Sequence, residues 1–455
     1  MDAASDLTLH FPGDSSSPGD SQSRISPWQH PRRAPLACAY WALFLFMIIY
    51  CARPQDWVSG LMALPLARIA GVLALLSFFF SVRQIRFPLP HEIILLGLLV
   101  GQLFATVPMS PVWPGGAFWN TLGFAKVLII FAVIVTTVNT TRRLQGIILI
   151  QAASLVAVAG VAVWRGRLSA GRLEGLLGGS YSNPNDLALA AVISLPLCLA
   201  LLFLSRSGLG KVAWMAAILL LIYTVLLTAS RGGSLSLAIA FAVCMWEFGI
   251  RGRRRYLLLL TAIVVVVFWQ SSSATLVARL KGTFNAKQEA ASSYASVRQR
   301  QRLFRRSIEV TEAHPLFGVG PGNFHVISGN WQVAHNSFTE MSAEGGLPAL
   351  ALYVWILWSG FRNLRAVKRF ARGRRTLTVL ASGLNASLAA YAVGSFFAST
   401  AYLYTPYFLV AYTIALLWIA RASPVPSKIS ESLQGPALPG NLRGGSPATS
   451  MSCST

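Results

Sequence analysis

Twelve largely apolar runs between residues 36 and 421 constrain this chain more than any other feature of it. A helix rises ~1.5 Å per residue and a bilayer's hydrocarbon core is ~30 Å thick, so ~20 such residues make one crossing. The predicted spans are 36–52, 62–81, 91–108, 118–138, 144–163, 186–204, 212–229, 233–250, 256–271, 347–361, 376–398 and 406–421. The expected fold is therefore all-α, a polytopic membrane protein with about twelve transmembrane helices. Apolar and aromatic residues make up 54% of the 455, and charged ones only 12%. That balance excludes a series of soluble domains, a disordered chain and a disulfide scaffold. Five Cys lack C-x-x-C or zinc spacing, and the four in apolar runs read as small hydrophobes.

The stretch 212–250 would be ~58 Å long as one helix, too long for a single crossing. Ser230-Arg231-Gly232-Gly233 interrupts it. An Arg at mid-membrane costs at least ~2.5–3.5 kcal/mol and paired Gly make a poor helix interior, so two spans are expected with Arg231 at the turn. Lys and Arg cluster in alternate loops: Arg32-Arg33, Arg83 and Arg86, Arg142-Arg143, Arg206 and Lys211, Arg251 to Arg255, seven residues from Arg362 to Arg375, and Arg421. These loops and both termini are expected in the cytoplasm. The net charge of +23 is then topological and suits anionic lipid head groups rather than nucleic acid. Five regions follow: a disordered N-terminus 1–35, spans one to nine over 36–271, a periplasmic loop 272–346, spans ten to twelve over 347–421, and a disordered tail 422–455. No cleavable signal peptide is expected, because the first apolar run begins near residue 36 and no A-x-A-like site follows it.

The loop 272–346 carries eight basic and five acidic residues although it lies outside. Long loops escape the positive-inside bias, and an anionic ligand would account for the excess. On a helical wheel, residues 294–313 place Val297, Leu303, Phe304, Ser307, Ile308, Val310 and Thr311 on the same face as Arg300. Arg298, Arg302, Arg305, Arg306, Glu309 and Glu312 fall opposite, a solvated face on which Arg305 and Glu309 are four apart. A buried Arg needs a partner, either a structural carboxylate or a bound anion.

His314-Pro315 and then Gly318-Val319-Gly320-Pro321-Gly322-Asn323-Phe324 predict a helix stop and a tight turn, structural or phosphate-cradling. Next come Ala334-His335-Asn336-Ser337 and Glu340, where Ser337 and Glu340 fit a capping box for a helix ending at Gly345-Gly346. His335 precedes that N-terminus, whose partial positive charge favours the neutral imidazole that a general base requires; a capping or surface His is the plainer alternative. The six His show no metal-ligand spacing, and D-x-D, G-x-S-x-G and Walker patterns are absent.

The runs His314–Phe324, Ala334–Phe338 and Glu344–Leu347 resemble the O-antigen ligase family, whose superfamily includes Wzy polymerases and some O-oligosaccharyltransferases. Ser230-Arg231-Gly232, Asn183-Pro184-Asn185 and Arg53-Pro54-Gln55-Asp56 are similar to further family elements, so the resemblance spans roughly residues 36–421. It implies a GT-C-like fold with one long periplasmic loop containing short helices, in a bacterial inner membrane. It also implies transfer of a glycan from undecaprenyl diphosphate to a hydroxyl of lipid A–core or another glycan, with no metal and no cofactor. By the same resemblance, Arg231 and Arg300 clamp the diphosphate and His335 is the base. Arg298, Asn336, Glu344, Asn185 and His314 are the expected substrate-binding residues, with Asp186, Glu340 and Glu344 as residues that could orient His335 or an Arg. A ligase is favoured over a polymerase; a transporter or flippase, and a scaffold, are the readings from other classes.

Overall fold

The computed structural model describes residues 35–61, 64–82, 89–169, 172–176, 181–252, 254, 292–329, 331–371 and 373–422. Among them, every element but a two-residue antiparallel ladder, β1 (Leu168–Ser169) with β2 (Arg172–Leu173), is helical. The helices are α1 (Pro35–Ala52), α2 (Leu66–Val82), α3 (His91–Thr106), α4 (Pro114–Thr137), α5 (Thr141–Arg165), α6 (Pro184–Leu204), α7 (Gly208–Leu227) and α8 (Arg231–Cys244). After these come α9 (Ser292–Ala313), the single turn α10 (Phe324–Ile327), α11 (Ser337–Phe370), α12 (Arg375–Gly394) and α13 (Thr405–Ala422), with short 3₁₀ turns after α1 and π-helical winding after α8 (Met245–Ile250).

Among the described residues, eight helices are long and apolar enough to cross a membrane: α1, α4, α5, α6, α7, α8 with the winding after it, α12 and α13; α2 and α3 are shorter apolar helices. The protein is a helical membrane protein. Eleven predicted spans coincide with helices, and the twelfth, 256–271, lies outside the described residues. The break expected within 212–250 is present, with α7 ending at Leu227 and α8 starting at Arg231. Several helices start on a residue whose side chain takes up an orphan amide, as Thr140, Asn183, Ser207 and Ser230 do for α5 to α8. Cys51, Cys198 and Cys244 are buried and unpaired, whereas Cys38 is exposed.

α6, α12 and α13 form the centre of the bundle; 78% of the most apolar stretch of α13 is buried, against 28% for α7 at the periphery. At one end of the bundle the basic segments gather. Lys368 bonds the Glu247 carboxylate, which also accepts from Ser382 Oγ at 3.2 Å and Asn385 Nδ2 at 3.2 Å. Arg374 Nη2 donates to Ala420 O at 3.1 Å and Arg375 Nη2 to Phe203 O at 3.1 Å. These contacts close the helix ends that hydrogen bonding within the helices leaves open. The opposite end collects the α7–α8 turn, the starts of α6 and α11 and the α12–α13 loop.

α11 bends at Gly346, whose φ of 79° and ψ of 175° leave the helical region. Its first limb, 337–345, is therefore separate from the apolar second limb, as the two Gly suggested. The cap differs from expectation. Asn336, not Ser337, is the N-cap, its Oδ1 accepting from Phe338 N at 2.9 Å and Thr339 N at 3.3 Å. Ser337 is unavailable because its hydroxyl donates to Ala398 O at 2.7 Å.

Candidate functional site

Arg231 stands at the first position of α8, behind a turn in which Ala229 takes a φ of 47° and Ser230 Oγ accepts from Gly233 N at 3.1 Å. That turn is tied to α6. Ser230 Oγ donates to Asn185 Oδ1 at 2.9 Å, and the same oxygen accepts from Arg172 Nη2 at 3.0 Å. Arg172 Nε closes the ring on Thr228 O at 3.0 Å. Asn185 thus serves as a junction between three segments. Arg172 is a residue that sequence reasoning missed, since its partners lie 13 and 56 positions away and no spacing announces them. A Cβ on Gly232 would fall 2.5 Å from Phe397 Cβ, so only glycine lets the α12–α13 loop close onto this turn. Arg231 itself is exposed. A cation at a helix N-terminus opposes the helix dipole, and both the guanidinium and the dipole there favour an arriving anion.

Arg300 lies on α9, one turn before Leu303. Leu303, Ser307, Val310 and Thr311 are buried, and Thr311 Oγ1 meets Ser342 Oγ of α11 at 2.9 Å. Phe304 and Ile308 stay exposed, so the buried stripe is narrower than the wheel suggested. The far-side pair is also different: Arg306 bonds Glu309 at 3.0 Å, in place of the expected Arg305–Glu309 pair. Arg298 is exposed and Arg300 half-buried. Burial, and then the positive charge of Arg231, pull the Arg300 guanidinium below its usual pKa. The two arginines are electrostatic neighbours across 69 positions of sequence.

After α9, His314 closes the helix end: its carbonyl accepts from Gly318 N at 2.9 Å, and its side chain is half-buried. The glycine turn that follows spends its amides internally. Val319 N bonds Ala343 O at 2.9 Å and Gly320 N bonds Glu344 O at 2.9 Å, capping the first limb of α11. Gly322 N and Phe324 N donate to the two oxygens of the Glu344 carboxylate at 2.8 and 3.0 Å. Gln102 and Asn120 bind the turn's carbonyls from α3 and α4. The turn is therefore a brace rather than a phosphate cradle, and Glu344 is its anchor.

Two stability effects follow from this brace. Gly318 has a φ of 62°, and a Cβ there would meet the Glu344 carbonyl carbon at 2.4 Å. Gly318→Ala should cost at least about 1–3 kcal/mol from backbone conformation alone, seen as a lower midpoint in detergent thermal melts. Glu344→Ala strands the buried Phe324 amide at about 1–3 kcal/mol, and the part-buried Gly322 amide adds to the loss. Glu344→Gln, which keeps one acceptor oxygen, should melt between Glu344→Ala and wild type.

His335 is half-buried and adopts a φ of 54°, unusual for a residue with a side chain. Its N–H donates to Ser399 Oγ at 3.0 Å. Burial, and then the Arg300 charge, lower its pKa below the usual 6.5. Its imidazole is thus neutral near pH 7, the form that accepts a proton. Asn336 beside it is buried and committed to the cap. One turn further, burial and then the nearby Glu344 charge raise Glu340 well above the carboxylate range. Glu344 is raised by burial too, but the two amides it accepts oppose the shift. Burial thus disfavours the charged form of both carboxyls, and less so at Glu344, where two amides hold the ionised form.

Arg231, Arg300 and His335, from α8, α9 and the approach to α11, lie at the end of the helical bundle away from the basic segments, and the charge of Arg231 acts on Arg300 and that of Arg300 on His335. A cavity of about 30 Å³ lies beside Asp186, between α5, α6 and α13, and none of the three lines it. Two basic groups and a neutral imidazole are suited to an anionic substrate and to a second group, such as a hydroxyl, that loses a proton. Residues 216–354 match the family model Wzy_C, O-antigen ligase. The matched segment contains Arg231, Arg300 and His335 together with the glycine turn and Glu344. No curated protein matches the chain.

Proposed function

We propose that this protein is an O-antigen ligase-like glycosyltransferase that moves a glycan from undecaprenyl diphosphate to an acceptor hydroxyl. What supports this reading is the match of residues 216–354, which include Arg231, Arg300 and His335, to the O-antigen ligase model; the charge of Arg231 also acts on Arg300, and that of Arg300 on His335. Two cations placed close together repel each other, and a site keeps them so when the bound ligand is strongly anionic. The acceptor oxygen attacks the anomeric carbon of the donor sugar and the bond from that carbon to the diphosphate breaks. His335 takes the hydroxyl proton. The electron pair leaves with undecaprenyl diphosphate, and Arg231 and Arg300 neutralise the charge that grows on it. The sugar–phosphate bond is already activated, so the step needs no nucleotide. The two guanidinium groups make it metal-independent.

The active site faces the periplasm and the basic end of the bundle the cytoplasm of a bacterial inner membrane, in accord with the distribution of Lys and Arg. Arg298, His314, Asn185 and Asn336 border the substrate, and Glu344 acts on it through the turn it anchors.

The test is transfer in detergent from an undecaprenyl diphosphate-linked glycan, with EDTA present, to lipid A–core or to a second donor molecule. Transfer to lipid A–core identifies a ligase, elongation of the donor glycan a Wzy-type polymerase, and transfer to a protein hydroxyl an O-oligosaccharyltransferase. Translocation of the donor without transfer would replace the reading with a flippase.

A further inference from the structure

The α12–α13 loop, residues 395–404, lies outside the segment that matches the family model, yet it reaches both halves of the site. Ser395 O accepts from Ser337 N at 2.8 Å, and Thr400 N donates to Ser337 Oγ at 2.8 Å. Ala398 O takes the Ser337 hydroxyl, and Thr400 Oγ1 stands 3.1 Å from it. Phe397 packs where Gly232 has no side chain, directly beside Arg231. Between these contacts, Ser399 Oγ accepts the His335 N–H at 3.0 Å. Glu340, beside Ser399, is buried on the first turn of α11.

This arrangement matters because of the backbone of His335. A left-handed φ is strained for a residue with a Cβ, and such a conformation persists only where its surroundings hold it. The held direction decides where the imidazole points. An ordinary extended backbone at 335 would turn the ring away from its present place beside Arg300. Ser399 is joined to His335, and its loop is tied to α11 through Ser337 on either side, so its hydroxyl is held where the His335 amide meets it.

We propose that Ser399 is a positioning residue for His335, its hydroxyl bridging the α12–α13 loop to the His335 amide so that the imidazole is fixed for proton transfer. This rests on the reading of His335 as the base.

The experiment is steady-state glycan transfer by full-length protein in detergent, using an undecaprenyl diphosphate-linked glycan, for Ser399→Ala, Ser399→Thr, His335→Ala and the Ser399→Ala/His335→Ala double variant. Misplacing a catalytic group by about 1 Å costs on the order of 10²-fold, so Ser399→Ala should lower kcat by roughly that factor with an unchanged KM for donor. Ser399→Thr, which keeps the hydroxyl, should restore most of the rate. The double variant should be no slower than His335→Ala. If Ser399→Ala transfers at the wild-type rate, or slows His335→Ala by a further large factor, the bridge is not acting through His335 and the inference falls. Undiminished transfer by His335→Ala would instead overturn the base assignment, and the inference with it. Should Ser399→Ala not fold, Ser399→Cys, of similar volume but a weak acceptor, reads the same bond with the same expected loss.

Discussion

Arg300→Ala lowers the rate of glycan transfer by about 10²–10³-fold, the loss expected when one preformed charge is removed from a site where negative charge develops. The size follows from where Arg300 sits. It is half-buried on the packed face of α9, so water screens its field only in part. Arg231 is exposed and its field is weaker at the same distance; Arg231→Ala should lose less, and its loss should vary more with salt. Arg300→Lys should recover little. An ammonium ion cannot form the planar two-bond contact with a phosphate, and burial beside Arg231 favours its losing the proton. A thermal melt separates this from a structural role. Arg300 is destabilised by burial and by a like charge, so its removal should leave the melting midpoint unchanged or raise it. A drop of several degrees in step with activity would mean that Arg300 holds the fold through an acidic partner and the diphosphate clamp is wrong.

The half-buried place of Arg300 on α9 was legible because a helical wheel depends on short-range spacing. The same is true of the break before Arg231, where an Arg and two Gly interrupt an apolar run too long for one crossing. The contacts that hold these residues were not legible. Glu344 reaches back 20 and 22 positions to the amides of Phe324 and Gly322, and a Glu just before a bend carries no mark of that use. Ser399 meets His335 across 64 positions, in a loop of hydroxyl and aromatic residues with no motif. The cap at α11 failed for a related reason. Asn336 and Ser337 are both good cap formers, and the choice between them is made by Ala398, which claims the Ser337 hydroxyl from a distant loop. Periodicity reports which face is buried, not which partner buries it; that is why Phe304 and Ile308 were placed on the wrong side of the edge.

His335→Ala lowers transfer by about 10²–10⁴-fold, the usual worth of a positioned general base, and the pH dependence of the wild type identifies the group. The neutral imidazole is the active form, so the rate falls on the acid side as the ring takes up a proton. Burial and Arg300 both disfavour the imidazolium, which moves that fall below the ordinary His range near pH 6.5. The profile of kcat/KM reports the free enzyme and should show the fall at this low position. The profile of kcat reports the enzyme with donor bound. There the diphosphate offsets the charge of Arg300, imidazolium becomes less costly, and the fall should move to higher pH. Arg300→Ala should move the kcat/KM limb in the same direction, because one of the two causes of the lowered value is gone. If the limb stays in place in Arg300→Ala and vanishes in His335→Ala, His335 is the base but lies beyond the reach of Arg300. If it survives in His335→Ala, the titrating group is another residue, and the buried pair Glu340 and Glu344 would be the next to test.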